Sequence, residues 1–252
     1  MLLHLQTWPD VERYLARSQS VIVPIGSTEQ HGPNGLIGTD ALCAEAVARG
    51  VGERVEALVG PTISVGMAQH HLAFPGSMTL RPSTLIAVIK DWVFSLARHG
   101  FRRFYFINGH GGNIATVQSA FSEIYAEASL NETGNQAALQ CRLRNWWQAD
   151  GIASLSRELY GMAEGSHATP SEVSLTWHLF PEAARPMRLE PEIAPSGDFT
   201  DAADYRRRFP DGRIGSNPGL ATVEAGKRLL EVAVAGLAED YRRWTLAGGR
   251  PG

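Results

Sequence analysis

Cysteine is scarce in this chain. Its 252 residues hold two, Cys43 and Cys141, far apart and outside any CxxC pattern, so no disulfide scaffold is expected. A charge excess is also missing. The 23 Lys and Arg against 26 Asp and Glu leave a net −3, which gives no footing for nucleic acid. No apolar run approaches the ~20 residues that cross a bilayer, so no membrane partner is expected. The opening MLLHLQTWPDVERYLARSQS has neither the basic start nor the apolar stretch of a signal peptide, and the expectation is a cytoplasmic protein. What is present is ordinary globular composition, 44% hydrophobic, in a chain long enough to bury a large core.

Short apolar runs alternate with amphipathic ones. Val21–Ile25 reads as a buried strand, residues 57–65 as a second, Arg102–Ile107 as a third, and 137–144, with alternating wet and dry positions, as a fourth. Helices are expected from Thr39 or Asp40, either of which would cap it, to about Val51, and from Ser83 to His99, with Gly100 as terminator. Others fall at 114–127, with Asn113 as its cap, from Pro170 to about Phe180, and from Gly219 to Trp244. This alternation predicts an α/β fold with a mostly parallel sheet covered by helices, in one domain spanning 1–252. Residues 186–218 hold five prolines and no period, which suits a lid, a subunit contact or a meandering surface connection.

The chemistry concentrates where strands end. After the first strand comes Gly26-Ser27-Thr28-Glu29-Gln30-His31-Gly32-Pro33, with Asp40 at the next helix start. Open α/β sheets place ligands at such carboxyl ends. Glu29 and His31, two apart, share one face of an extended backbone, and with Asp40 they make a plausible shell for zinc, manganese or iron. Alone, this Glu-x-His pair reads better as a surface loop of unconnected polar residues. His110 follows the third strand directly among Gly109, Gly111 and Gly112, which let the backbone turn and expose the imidazole. Glu164, His167 and Glu172 come from a third segment. Glu172 suits a metal shell or a helix dipole, and His167 suits proton transfer near neutral pH. His70 and His71 follow the second strand, as loop polarity or as substrate contacts.

These segments, taken together, resemble the creatininase (creatinine amidohydrolase) family. PIGSTEQHGP with GTD at 38–40, HLAFPGSMTL, GFRRFYFINGHGGN, SHATPSEVS and GRIGSNPGLATVEAGKRLLE match family blocks in order along nearly the whole chain. The resemblance implies a three-layer α/β/α sandwich, a homo-oligomer (commonly a hexamer), and two divalent metal ions per subunit (Zn, Mn or Fe). It implies hydrolysis of a non-peptide C–N bond, in a cyclic amide or a formamide, of a small-molecule substrate. Glu29 and His110 would bind one ion, His31 the other, and Asp40 would bridge. Members that hydrolyse creatinine carry a glutamate where this chain has Gly112. Glu172, with Glu164 as the alternative, is expected to replace that ligand, and His167 matches the histidine associated with proton transfer. Asn34, Gly35-Leu36 and Thr169 also depart from the family pattern, which argues against creatinine as the substrate. A peptidase acting on a short modified peptide and a non-catalytic, metal-containing binding protein are the alternatives.

Overall fold

Strand β1 (Ser20–Ile25) is buried at every position, as its unbroken apolar run requires of a strand covered on both faces. It lies between β2 (Leu58–Val59) and β3 (Arg103–Asn108), and β3 pairs onward with β4 (Gln140–Asn145). All three pairings are parallel, in the order β2-β1-β3-β4. The computed structural model describes residues 1–130 and 138–247, so position 137 of the expected fourth strand lies outside the described residues.

Alternation of side chains across the sheet sorts the helices into two layers. Val21, Val23, Ile25, Phe104 and Phe106 face α1 (Trp8–Leu15), α3 (Pro82–Arg98) and α4 (Asn113–Leu130), where Leu85, Ile89, Val93, Val117 and Ile124 complete the packing. Ile22, Tyr105 and Ile107 face α2 (Thr39–Arg54), α5 (Ile152–Tyr160), α6 (Pro170–Leu179) and α8 (Val223–Ala247). The result is the expected α/β/α sandwich. None of the described helices is long and apolar enough to cross a membrane.

Four expectations need correction. The 57–65 segment is a strand only at Leu58–Val59, because Pro61 has no N–H to continue the ladder; the chain leaves after Gly60 and rejoins β1 through Ile63. Thr39 and Asp40 are the first helical residues of α2 rather than its cap, a position held by Gly38. Asn113 is no cap either: its side chain accepts from Met67 N at 3.0 Å and donates to Gly26 O at 2.9 Å, bracing two loops. The 186–218 stretch contains an unexpected helix, α7 (Ala202–Arg208), capped by Asp201, whose side chain accepts from Asp204 N at 2.8 Å. Its Tyr205 packs with Phe209, Ile214 and Phe74 in a small apolar cluster, so the segment is a fitted cover rather than a surface meander.

The register aligns Ile25, Asn108 and Asn145 at one edge. Asn108 donates from Nδ2 to Asn145 Oδ1 at 2.8 Å, tying the β3 and β4 ends together directly under the site. Between the ends of β1 and β3 the start of α2 is wedged in. A Cβ on Gly26 would stand 2.4 Å from Ala41 N, and one on Gly109 would stand 2.0 Å from Asp40 O. Only glycine at both places lets Asp40 reach the sheet edge.

Candidate metal centre

At this edge six predicted side chains converge. His31 Nε2 lies 3.0 Å from Asp40 Oδ1 and 3.9 Å from Glu172 Oε1. His110 Nδ1 lies 3.0 Å from Asp40 Oδ2 and 3.2 Å from Glu29 Oε1, and His167 Nδ1 is 3.9 Å from the same Glu29 oxygen. Asp40 thus turns one oxygen to His31 and the other to His110. The donor atoms fall into three groups with mutual spacings within 4.8 Å: Glu29–Asp40–His110, His31–Asp40–Glu172, and Glu29–His31–His167. Glu164 belongs to none of them; its carboxylate accepts from Ser171 Oγ and lines the adjoining cavity.

Backbone carbonyls orient each imidazole. His31 donates from Nδ1 to Glu29 O at 3.1 Å, His110 from Nε2 to Met67 O at 3.0 Å, and His167 from Nε2 to Gln30 O at 2.9 Å. In each ring the other nitrogen faces the carboxylates, the arrangement that fixes the tautomer of a metal-binding histidine. Conversely, Glu29 Oε1, Glu29 Oε2 and Asp40 Oδ2 are buried without an aligned hydrogen bond. Buried carboxylate oxygens left in that state are costly unless a cation accepts them. The donor set of three carboxylates and imidazole nitrogens fits zinc, manganese or iron alike.

Electrostatics point the same way. Burial pushes the Glu29 carboxyl up, but His110 and His71 beside it outweigh burial and hold the group well below the usual carboxylate range. Burial pulls His31 down, yet Asp40 and Glu172 raise it to about 10, and Glu29 with Asp40 lifts His110 well above its ordinary value. Protons on these two rings therefore supply the positive charge that the carboxylates demand. Burial, aided by Asp40, raises Glu172 to about 7. His167 is held well below its ordinary value by burial and by His71 and His31, so it is neutral at pH 7.

The cluster opens onto a cavity of about 800 Å³ walled by Trp147, Ile152, Met162 and the 164–172 segment. On its other side the α7 cover closes down: Tyr205 meets His71 edge-on at 4.6 Å between ring centroids, and Phe199 stacks on His70 at 4.7 Å.

A sequence profile of the creatinine amidohydrolase family matches residues 4–241. The chain belongs to the creatininase family. Creatininase relatives include a mycofactocin precursor peptide peptidase of Mycobacterium tuberculosis, 36% identical over 90% of this chain and 86% of that protein. The creatinine amidohydrolase of Pseudomonas putida is 30% identical over 94% of both. A mutant creatininase structure described as Zn–Zn type superposes with a TM-score of 0.82, at 27% identity, over 96% of this chain and 97% of that one.

Within this creatininase fold Gly112 departs for a visible reason. A Cβ there would lie 2.4 Å from His110 Nε2 and 2.7 Å from Met67 O, the pair whose hydrogen bond orients His110. The departure at Asn34 is structural, since Asn34 Nδ2 donates to Pro218 O at 3.0 Å. Glu172 carries two tasks: Oε1 accepts from Thr169 N at 2.6 Å in a capping box while facing His31.

Gln30 went unremarked among the candidate residues. Its Oε1 accepts from Gly32 N at 2.8 Å, and its Nε2 donates to Gly212 O and to His71 Nδ1, both at 2.9 Å. That turns His71 Nε2–H toward Glu29, 3.2 Å away. The period-two alternation around Glu29 and His31 was the available signal, since it sets Gln30 on the opposite face, toward the cover. Nothing comparable marked Tyr205 or Phe199.

Proposed function

We propose that the chain is a metal-dependent amidohydrolase cleaving a non-peptide C–N bond, a cyclic amide or a formamide, in a small molecule. Glu29, Asp40 and His110 would hold one divalent ion and His31, Asp40 and Glu172 a second, with Asp40 bridging. The observation that carries this reading is the set of unsatisfied Glu29 and Asp40 oxygens facing imidazole nitrogens whose opposite ring atoms are pinned to carbonyls. Two divalent ions held there would acidify a water and polarise the scissile carbonyl.

The remaining work falls to the chain's own groups. His167, neutral at pH 7 and lining the cavity, takes up at Nδ1 the proton given up by the attacking water and passes it to the departing nitrogen. Its ring cannot swing away: Nε2 donates to Gln30 O, and its own carbonyl accepts from Ser216 Oγ at 2.6 Å. Asn108 holds the His110 turn by accepting from His110 N at 3.1 Å and donating to His110 O at 2.6 Å. The α7 cover excludes water from the His70 and His71 side, leaving the cavity as the route of entry.

A second reading, cleavage of a short modified peptide, is favoured by the size of the cavity and by the 36% identity to a protein named as a peptide peptidase. Metal analysis and turnover test the proposal together. Protein purified without added metal and then supplemented should retain about two divalent ions per chain, and Asp40→Ala about none. A panel of lactams, formamides and short peptides should then separate the two readings by which class is hydrolysed. Wild-type protein that keeps no stoichiometric metal after supplementation overturns both.

A further inference from the structure

The cavity that adjoins the carboxylate cluster carries one arginine and no lysine on its walls. Arg157, in the last turn of α5, stands among Trp147, Ile152, Met162 and Glu164, on the same cavity as Asp40, His110 and Glu172. Among the described residues its side chain makes no hydrogen bond or ion pair. The adjacent Glu158 is taken by Arg228 at 2.8 Å, and elsewhere in the chain Arg142 and Arg144 both hold Asp240, while Arg213 is engaged with Asp211 and three backbone carbonyls. Arg157 is exposed at the cavity wall and thus presents a permanent, uncommitted positive charge to whatever enters.

We infer that the substrate carries a carboxylate remote from the bond that is cut, and that Arg157 receives it; this rests on the hydrolase reading of the same site. A cavity of about 800 Å³ is far roomier than a single small ring needs and suits a ligand with a reacting end and a separate anchoring end. The guanidinium fork matches a carboxylate in two parallel hydrogen bonds. Asp40, Glu164 and Glu172 on the same walls disfavour a dianion such as a phosphate, while one arginine balances a single negative charge. The apolar faces of Trp147, Ile152 and Met162 then accommodate the stretch between the two ends. Arg157 is therefore a specificity-determining residue: it selects acidic amide substrates over their neutral counterparts and leaves the chemistry at the metal cluster untouched.

The test uses N-formylglycine, N-formylglycylglycine and N-formyltriglycine, each paired with its uncharged C-terminal amide. Binding is measured by calorimetry, on the protein as purified and after zinc loading. At least one acid should bind wild-type protein about tenfold or more tightly than its amide. Arg157→Gln should abolish that preference by weakening the acid alone, with zinc content and amide binding unchanged, and Arg157→Lys should keep part of it. For any probe that is hydrolysed, Arg157→Gln should raise KM for the acid and leave kcat nearly unchanged. Equal binding of acid and amide by wild-type protein, a preference that survives Arg157→Gln, or no binding by any probe overturns the inference. Preferential binding of the acid without hydrolysis of any probe rejects the hydrolase reading and leaves carboxylate recognition standing.

Discussion

The candidate metal centre has two halves of different construction. Glu29, His31, Asp40 and His110 sit on the sheet edge, almost wholly buried, each placed within a few residues of β1, β3 or the start of α2. His167 and Glu172 come from the 164–172 segment, keep 12% and 13% of their side chains exposed, and line the cavity. The more deeply buried half suits holding ions, while the half that lines the cavity suits meeting substrate, with Glu172, at the start of α6, facing both ways. The difference teaches that metal retention and turnover should be separable by mutation.

The strongest break of that comparison is His110→Ala. It removes a ring whose Nδ1 faces both Glu29 and Asp40, and it leaves those carboxylates without their neutralising partner. Expected are loss of at least one ion by elemental analysis and a fall in kcat of about a thousandfold or more. His167→Asn should behave differently, keeping the full metal content while kcat falls by ~10²–10⁴, the usual contribution of a positioned proton carrier. Equal metal loss in both variants would erase the distinction between the halves.

Proton linkage sharpens the same contrast. His31, raised to about 10, and His110, raised well above its ordinary value, are both protonated at pH 7, and a metal ion must displace those protons. Zinc binding at pH 7 should therefore release about two protons, read from calorimetry in buffers of different ionisation enthalpy. Below pH 7 Glu172, raised to about 7, adds a further proton, so affinity should fall as pH drops. The sign for the metal-free protein differs between groups. His31 contributes stability that is complete below about pH 6.5 and lost as pH rises through about 10, whereas Glu29 contributes stability that is lost in acid.

How much of this was legible in the sequence follows the same division. Glu29, Asp40 and His110 could be read because each follows a strongly apolar strand or opens a helix, and glycines mark the turns beside them. Ile25 and Asn108 then had to end side by side in a parallel sheet, which brings the two loops together. The expected second strand is too long because Ala57, Leu58, Val59, Ile63 and Val65 keep residues 57–65 rich in apolar side chains, while the missing N–H of Pro61 ends the ladder. The cover was illegible for a different reason. Helix α7 is seven residues long and buries only Asp204 and Tyr205, too little for a periodic signal, and its fit to the site depends on contacts 130 or more positions distant in the chain.

Gln30 joins the two regions, and Gln30→Ala should show it. The change leaves Gly212 O with its bond from Tyr205 alone and frees His71 to change tautomer. A buried hydrogen-bonding side chain lost in this way costs about 1–3 kcal/mol, so thermal unfolding should fall measurably while the ions are retained.

The smallest effect belongs to Tyr205→Phe. The hydroxyl donates to Gly212 O at 2.8 Å, but that carbonyl also receives Gln30 Nε2, so removal leaves no buried acceptor unsatisfied. The ring contacts to His71, Phe199 and Phe209 stay. Expected is a loss of about 1 kcal/mol, or ~2–4 °C in Tm for a chain of this size, with kcat unchanged. Tyr205→Ala, by contrast, removes the ring and opens the His71 side of the site to water, so kcat should fall with it. If the phenylalanine variant alone lost activity, the hydroxyl would belong to the reacting half of the site rather than to its cover.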